Sequence, residues 1–164
     1  MKTTFYIVRH GETIGNTQKI IQGHSDTELT ENGIAQAHAI REGLAHINFA
    51  AVYSSDLGRA ISTAEIFLKE SSMDLKTTPL LRERCFGKYE TGLYNNMFEA
   101  NKEFHDLLKN LPHEKRRVSK LSDDIECDAE LWERFIKFIN ETAPKYVGEN
   151  VLVISHGGFM KALL

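Results

Sequence analysis

The sequence predicts a three-layer α/β/α fold built around a mainly parallel sheet, and two observations carry that prediction. Strand-like and helix-like segments alternate along the 164 residues, the pattern of a sheet covered by helices on both faces. The two most apolar strand candidates, "FYIVRHG" near the start and "VLVISHG" near the end, both finish in His-Gly. Ligands of open parallel sheets bind beyond the carboxyl ends of the strands, so His10 and His156 are expected to face one crevice.

Residues 4–9 (TFYIVR) read as a short buried strand. From Thr30, placed as an N-cap, the run "TENGIAQAHAIREGLAHI" sets Ile34, Ala37, Leu44 and Ile47 near helical spacing. A second strand is expected at 50–54 (AAVYS), followed by the helix "SDLGRAISTAEIFLKE" capped by Ser55 or Asp56. Lys76 to Thr78 add a short strand before Pro79, and 80–92 is irregular, broken at Gly87 and Gly92. Residues 95–111 and about 126–143 are helical by pattern. The second carries Leu131, Trp132, Phe135, Phe138 and Ile139 as an apolar face and ends at Pro144 and Gly148. The basic run "HEKRRVSK", 113–120, between these helices reads as a solvated loop, with a lid guiding anionic substrates as the sharper alternative. "VLVIS", 151–155, is the clearest buried strand, and a helix starts after His156, Gly157 and Gly158. A single domain, 1–164, is expected, with a helical covering segment at about 93–145.

Composition narrows the class of function. Hydrophobic residues at 41% and charged residues at 26% are those of an ordinary globular protein. A net charge of −3 gives no electrostatic case for nucleic acid or an anionic membrane as a partner, so an anion site has to be a local group of cations. No apolar run approaches the ~20 residues of a membrane span, and no export signal opens the chain, so a cytoplasmic location is expected. Cys85 and Cys127 are then reduced thiols with packing roles.

One histidine at a strand end is usually a polar residue that found a hydrogen bond. Two, each followed by a glycine that admits close backbone approach, point to chemistry. Metal binding is the rival reading, but a third ligand at matching spacing is missing and Arg9 would repel a cation, so no metal and no cofactor are expected. A phosphoryl group suits the neighbours better, since its oxygens need several donors and positive charge. Arg9 stands at the first strand end, and Arg59 lies one turn inside the helix after the second strand, near a helix N-terminus favourable to anions. Gly157 to Phe159 offer further N–H groups. A neutral imidazole can attack phosphorus, and Glu12, Glu83 and Glu90 are the candidate proton donors for the leaving oxygen; spacing does not choose among them.

These motifs resemble the histidine phosphatase superfamily, which includes the cofactor-dependent phosphoglycerate mutases. The resemblance runs through "RHGET", Asn16, "QGHSDTELTENGIAQA", "SSDLGRAISTA", "LRERCFGKYETG" and "SHGG", in order and over nearly the whole chain. It implies that His10 is the phosphorylated nucleophile, with Arg9, Arg59 and His156 holding phosphoryl oxygens. It also implies that Glu83 protonates the leaving group and then activates water, and that Asn16, Gln22, Gly23 and Gly157 help bind phosphate or substrate.

The chain departs from the family pattern in four places. Glu28 stands where proline is common, a tyrosine replaces the usual tryptophan in "GKYETG", and Thr91 separates Glu90 from Gly92. The sequence also ends at Leu164, before the family's usual C-terminal elements, so part of the core is expected to be exposed. A shortened chain, or pairing with another chain as in a homo-oligomer, accounts for such an ending. Glu83 and His156 lie 73 positions apart, similar to the phosphatases of the family rather than the longer-covered mutases. The resemblance therefore implies hydrolysis of a small phosphorylated metabolite, with a mutase as the alternative and a weakly active phospho-ligand or partner-binding protein as the other.

Overall fold

Four strands form one sheet in a computed structural model that describes residues 1–164. They are β1 (Thr4–Arg9), β2 (Phe49–Ser55), β3 (Leu75–Thr78) and β4 (Asn150–Ser155), in the order β1-β4-β2-β3, and every pair is parallel. All four carboxyl ends therefore share one edge. The helices are α1 (Ile14–Thr17), α2 (Glu31–Gly43), α3 (Gly58–Leu68), α4 (Tyr94–Ala100), α5 (Lys102–Asn110), α6 (His113–Val118), α7 (Asp128–Thr142) and α8 (Gly157–Ala162).

The period-two alternation of β4 divides the core in two. Val151 and Val153 join Ala51, Leu81, Leu131, Phe138 and Phe159 beneath α7 and α8. Leu152 and Ile154 join Val52, Ala60 and Ala64 beneath α3. Residues Val151 to Ile154 are at most 1% exposed. Burial of such side chains contributes about 1.5–3 kcal/mol each relative to exposure, which makes β4 the rigid centre of the sheet.

Several expectations need correction. Residues 5–8 of β1 are half-buried rather than buried, because β1 lies at the sheet edge. Ile34 is 41% and Trp132 38% exposed, so neither belongs to the core its helix covers. The pattern across 95–111 is two helices, parted at Asn101, whose amide turns back to the Met97 carbonyl. The basic run is not a loop: 113–118 is helical as α6. Arg117 lies over the Trp132 ring at 5.5 Å, and Lys120 pairs with Glu130 at 2.8 Å, so contacts with α7 order this segment.

The cap of α3 is Leu57, not Ser55 or Asp56, and no side chain of its own segment caps it. Asp26, from the distant loop after β1, accepts the Gly58 N–H at 2.6 Å and the Arg59 N–H at 3.2 Å instead. Thr30 caps α2 as expected, through the Gly33 N–H. Two glycines let that loop cross α2 at backbone contact: a Cβ at Gly11 would strike the Gly33 carbonyl, and one at Gly33 would strike that of Glu12. Thr91 occupies the left-handed region at φ 68°, a conformation that costs a β-branched residue about 1–3 kcal/mol. Its N–H is held by the Ile21 carbonyl at 2.8 Å, so the departure at this position changes the backbone cost but leaves the turn in place. Both cysteines are free, and Cys127 is the N-cap residue of α7. No helix is long and apolar enough to cross a membrane.

Candidate active site

Register brings the two histidines together. Every β1 residue from Thr4 to Arg9 pairs with the β4 residue 146 positions later, the same separation as His10 from His156. The ladder continues one step past the strand, where the His10 N–H donates to the Ser155 carbonyl at 2.9 Å. The ring centroids of His10 and His156 consequently lie 5.1 Å apart, and the residues are 6% and 0% exposed.

Burial decides the charge of both rings. His10 has its pKa lowered to about 4 by burial first, with Arg59 and Arg9 adding to the shift against the Gly11 hydrogen bond. His156 is pushed down further by burial, and the charges of Arg59, His10, His24 and Arg9 follow. His10 Nδ1 lies 2.7 Å from the Gly11 carbonyl; since a carbonyl only accepts, Nδ1 carries the proton and Nε2 keeps its lone pair. The Gly11 N–H in turn donates to Thr63 Oγ1 at 3.0 Å, which fixes this loop against α3.

A pH dependence follows. The unfolded chain takes up the His10 proton near 6.5 and the folded chain near 4, so between these values the unfolded state holds more protons. Stability is complete above the upper value and falls as pH drops toward the lower. His10 alone is expected to cost about 2 kcal/mol between pH 7 and pH 5. Urea denaturation at the two pH values checks this, with His10→Asn expected to flatten the slope.

Arg59 is 2% exposed and held from three sides. Its Nη1 donates to Asp26 Oδ1 and the Ser25 carbonyl, both at 2.7 Å, and Nη2 to the Gly23 carbonyl at 2.8 Å. Burial pulls its pKa below the usual arginine value while Asp26 opposes this, and a guanidinium stays charged regardless. Its Nε and both ring nitrogens of His156 find no hydrogen-bond partner within the protein. Buried polar groups of this kind are costly unless a ligand satisfies them. Asp26 already occupies the α3 N-terminus, so the Arg59 side chain, rather than the helix end, is what this segment offers an anion. Arg9 is exposed at the end of β1, and a Cβ on Gly157 would come within 3.1 Å of its Nε.

Of the three carboxylates, Glu83 is held at the start of α8, two residues after His156. Its Oε2 accepts the Gly158 N–H at 2.9 Å and its Oε1 the Arg84 N–H at 2.8 Å. A side chain at Gly158 would collide with this carboxylate, so glycine is needed for the contact. The Gly158 N–H is thereby spent on Glu83 rather than offered to an anion. Glu90 instead pins its own loop, accepting the His24 and Phe86 N–H groups at 3.0 Å each. Glu12 accepts the Thr30 hydroxyl at 2.8 Å. It also borders an open cavity of about 550 Å³ shared with Arg9, His10 and Asn16.

The remaining predicted residues serve the loop between β1 and α2. Asn16 closes a reciprocal cap with Thr13 while lining that cavity. Gln22 is committed to the loop itself, its amide donating to Thr13 Oγ1 at 2.9 Å and accepting the Thr27 hydroxyl at 2.8 Å. Gly23 acts through its carbonyl on Arg59. Sequence reasoning missed Asp26, which joins α3 to this loop, and His24, whose Nε2 lies 3.0 Å from the Glu83 carbonyl. Both lie within the quoted motif, but nothing in their spacing reveals partners 33 and 59 positions away.

Fold and site together define an α/β protein with two neutral histidines, two arginines and a carboxylate at one sheet edge. The chain belongs to the histidine phosphatase superfamily, branch 1, whose family model matches residues 5–164. It is 34% identical over 159 residues to phosphoglycerate mutase-like protein 4 of Arabidopsis thaliana, an alignment covering 96% of this chain and 67% of that one. Among solved structures, Bacillus stearothermophilus YhfR is 29% identical with a TM-score of 0.87, covering 98% of this chain and 77% of that chain. The alpha-ribazole phosphatase of Shigella flexneri is 27% identical with a TM-score of 0.77, covering 99% and 77%.

Proposed function

We propose that this protein is a metal-independent phosphomonoesterase that hydrolyses a small phosphorylated metabolite through a phosphohistidine on His10. The observation that carries the reading is the state of His10: neutral, with Nδ1–H tied to the Gly11 carbonyl and Nε2 left as a lone pair beside His156. Nε2 attacks phosphorus and the bond to the leaving oxygen breaks, while Glu83 delivers the proton that this oxygen needs. Arg9, Arg59 Nε and an N–H of His156 stabilise the charge on the transferring oxygens, the task a metal ion would otherwise perform. Glu83, now a carboxylate, takes a proton from water; the water oxygen attacks phosphorus, the P–N bond breaks, and neutral His10 returns.

A phosphatase must admit water to the intermediate and a mutase must exclude it. The open cavity beside His10 and the short segment between Glu83 and His156 support hydrolysis. Mutase chemistry is the second reading, because the Arabidopsis relative is named phosphoglycerate mutase-like. Release of 4-nitrophenol from its phosphate ester is expected to persist in excess EDTA, whereas dependence on an added divalent ion would overturn the mechanism. Interconversion of 3-phosphoglycerate, assayed in parallel, separates the two readings.

A further inference from the structure

We infer that Arg134 and Glu126 form a brace that sets the Glu83 carboxyl against the leaving oxygen, making Arg134 a positioning residue for proton delivery. The inference rests on the reading of Glu83 as the acid. Arg134 lies on α7, outside the histidine cluster, and no motif singled it out.

Its guanidinium is shared between the backbone of the acid segment and the Glu126 carboxylate. Nη1 donates to the Leu80 carbonyl at 2.9 Å and to that of Arg82 at 3.3 Å. Nη2 reaches the carbonyls of Arg82 at 3.2 Å and Glu83 at 3.4 Å. Glu126 holds the same guanidinium side-on, at 2.9 Å to Nε and 3.0 Å to Nη2. Its Oε2 also accepts the Cys85 N–H at 2.8 Å, and its own N–H donates to the Cys85 carbonyl at 3.1 Å. The chain is therefore gripped by carbonyls before and at Glu83 and by both backbone groups of Cys85 after it.

The brace is also joined to the histidine edge. The guanidinium lies 5.3 Å over the ring of Phe159, and Phe159 follows the Gly158 whose N–H holds Glu83 Oε2. Arg134 and Glu126 side chains are 20% and 21% exposed, so solvent screens the pair only in part. One ion pair thus holds the backbone around the acid while the Gly158 N–H holds its carboxylate. A displacement of about 1 Å at a reacting group can cost on the order of a hundredfold in rate, so this support bears on catalysis as well as on folding.

Two aryl esters separate the roles. Nitrophenolate departs without a proton, whereas phenolate from phenyl phosphate needs one, and kcat/KM reports only the steps through phosphoryl transfer to His10. Arg134→Gln is expected to lose about ten- to a hundredfold more kcat/KM on phenyl phosphate than on 4-nitrophenyl phosphate, approaching the selective loss of Glu83→Gln. In the double variant the two selective losses should not add. Should Arg134→Gln fail to fold, Glu126→Gln is expected to show the same selectivity, smaller in size. Equal losses on both esters in the brace variants, with the selective loss intact in Glu83→Gln, overturn the brace and leave the acid standing. A Glu83→Gln enzyme that loses both esters equally removes the acid role and the brace with it.

Discussion

Replacing His10 with alanine is expected to lower kcat/KM on 4-nitrophenyl phosphate by on the order of 10⁴ or more, the scale seen when a nucleophile has no substitute. Phosphate trapped on the protein by rapid quench into alkaline denaturant, in which a P–N bond survives, should vanish in the same variant. The ring is buried, and its one hydrogen bond in the protein is to the Gly11 carbonyl of its own loop. The substitution therefore opens space without leaving a distant partner unpaired, and the fold should survive it. Full turnover by His10→Ala would show that another group attacks phosphorus.

Arg59→Met is expected to have the second largest effect, and on two quantities at once. Loss of one preorganised donor to the transferring oxygens should reduce kcat/KM by about 10²–10³ and weaken inhibition by inorganic phosphate. The same change leaves the carbonyls of Gly23 and Ser25 without their donor and Asp26 without its guanidinium partner, though it keeps the Gly58 and residue-59 N–H groups. Asp26 is 34% exposed and can turn to water, so a stability loss of about 2–4 kcal/mol is expected rather than collapse. Arg59→Lys should recover some of the stability and little of the rate. An ammonium cannot hold three acceptors and still present an N–H to the site. Chemical denaturation and phosphate inhibition constants measure the two effects separately, and an unchanged inhibition constant would remove Arg59 from the phosphate site.

Much of the candidate site's placement was legible because its residues fall in short motifs. The apolar runs ending in Arg9-His10-Gly11 and His156-Gly157 state where each strand stops and what it presents, and in a parallel sheet all such ends meet. The choice of Glu83 over Glu12 and Glu90 came from family resemblance. The observed difference among the three lies in their partners: Glu83 meets the start of α8, while Glu90 and Glu12 fasten loops. The α6 segment was misread because its charges look solvated in one dimension, whereas Arg117 and Lys120 have partners on α7. The α3 cap was misread for a related reason. Local caps are visible within a few residues, and the group that caps α3 is Asp26, 32 positions before Gly58.

By itself the sequence determined the alternation of strands and helices, the parallel sheet, and the paired His-Gly strand ends, because these depend on periodicity and on which residue follows an apolar run. Only the tertiary structure decided that His10 and His156 share a register offset, and that burial keeps both rings neutral. It alone assigned the start of α3 to Asp26, and placed Arg134 and Glu126 against the backbone around Glu83. Each of these depends on contacts between residues far apart in the chain. Hydrogen bonding and desolvation act over a few ångströms in space, and spacing along the sequence records neither.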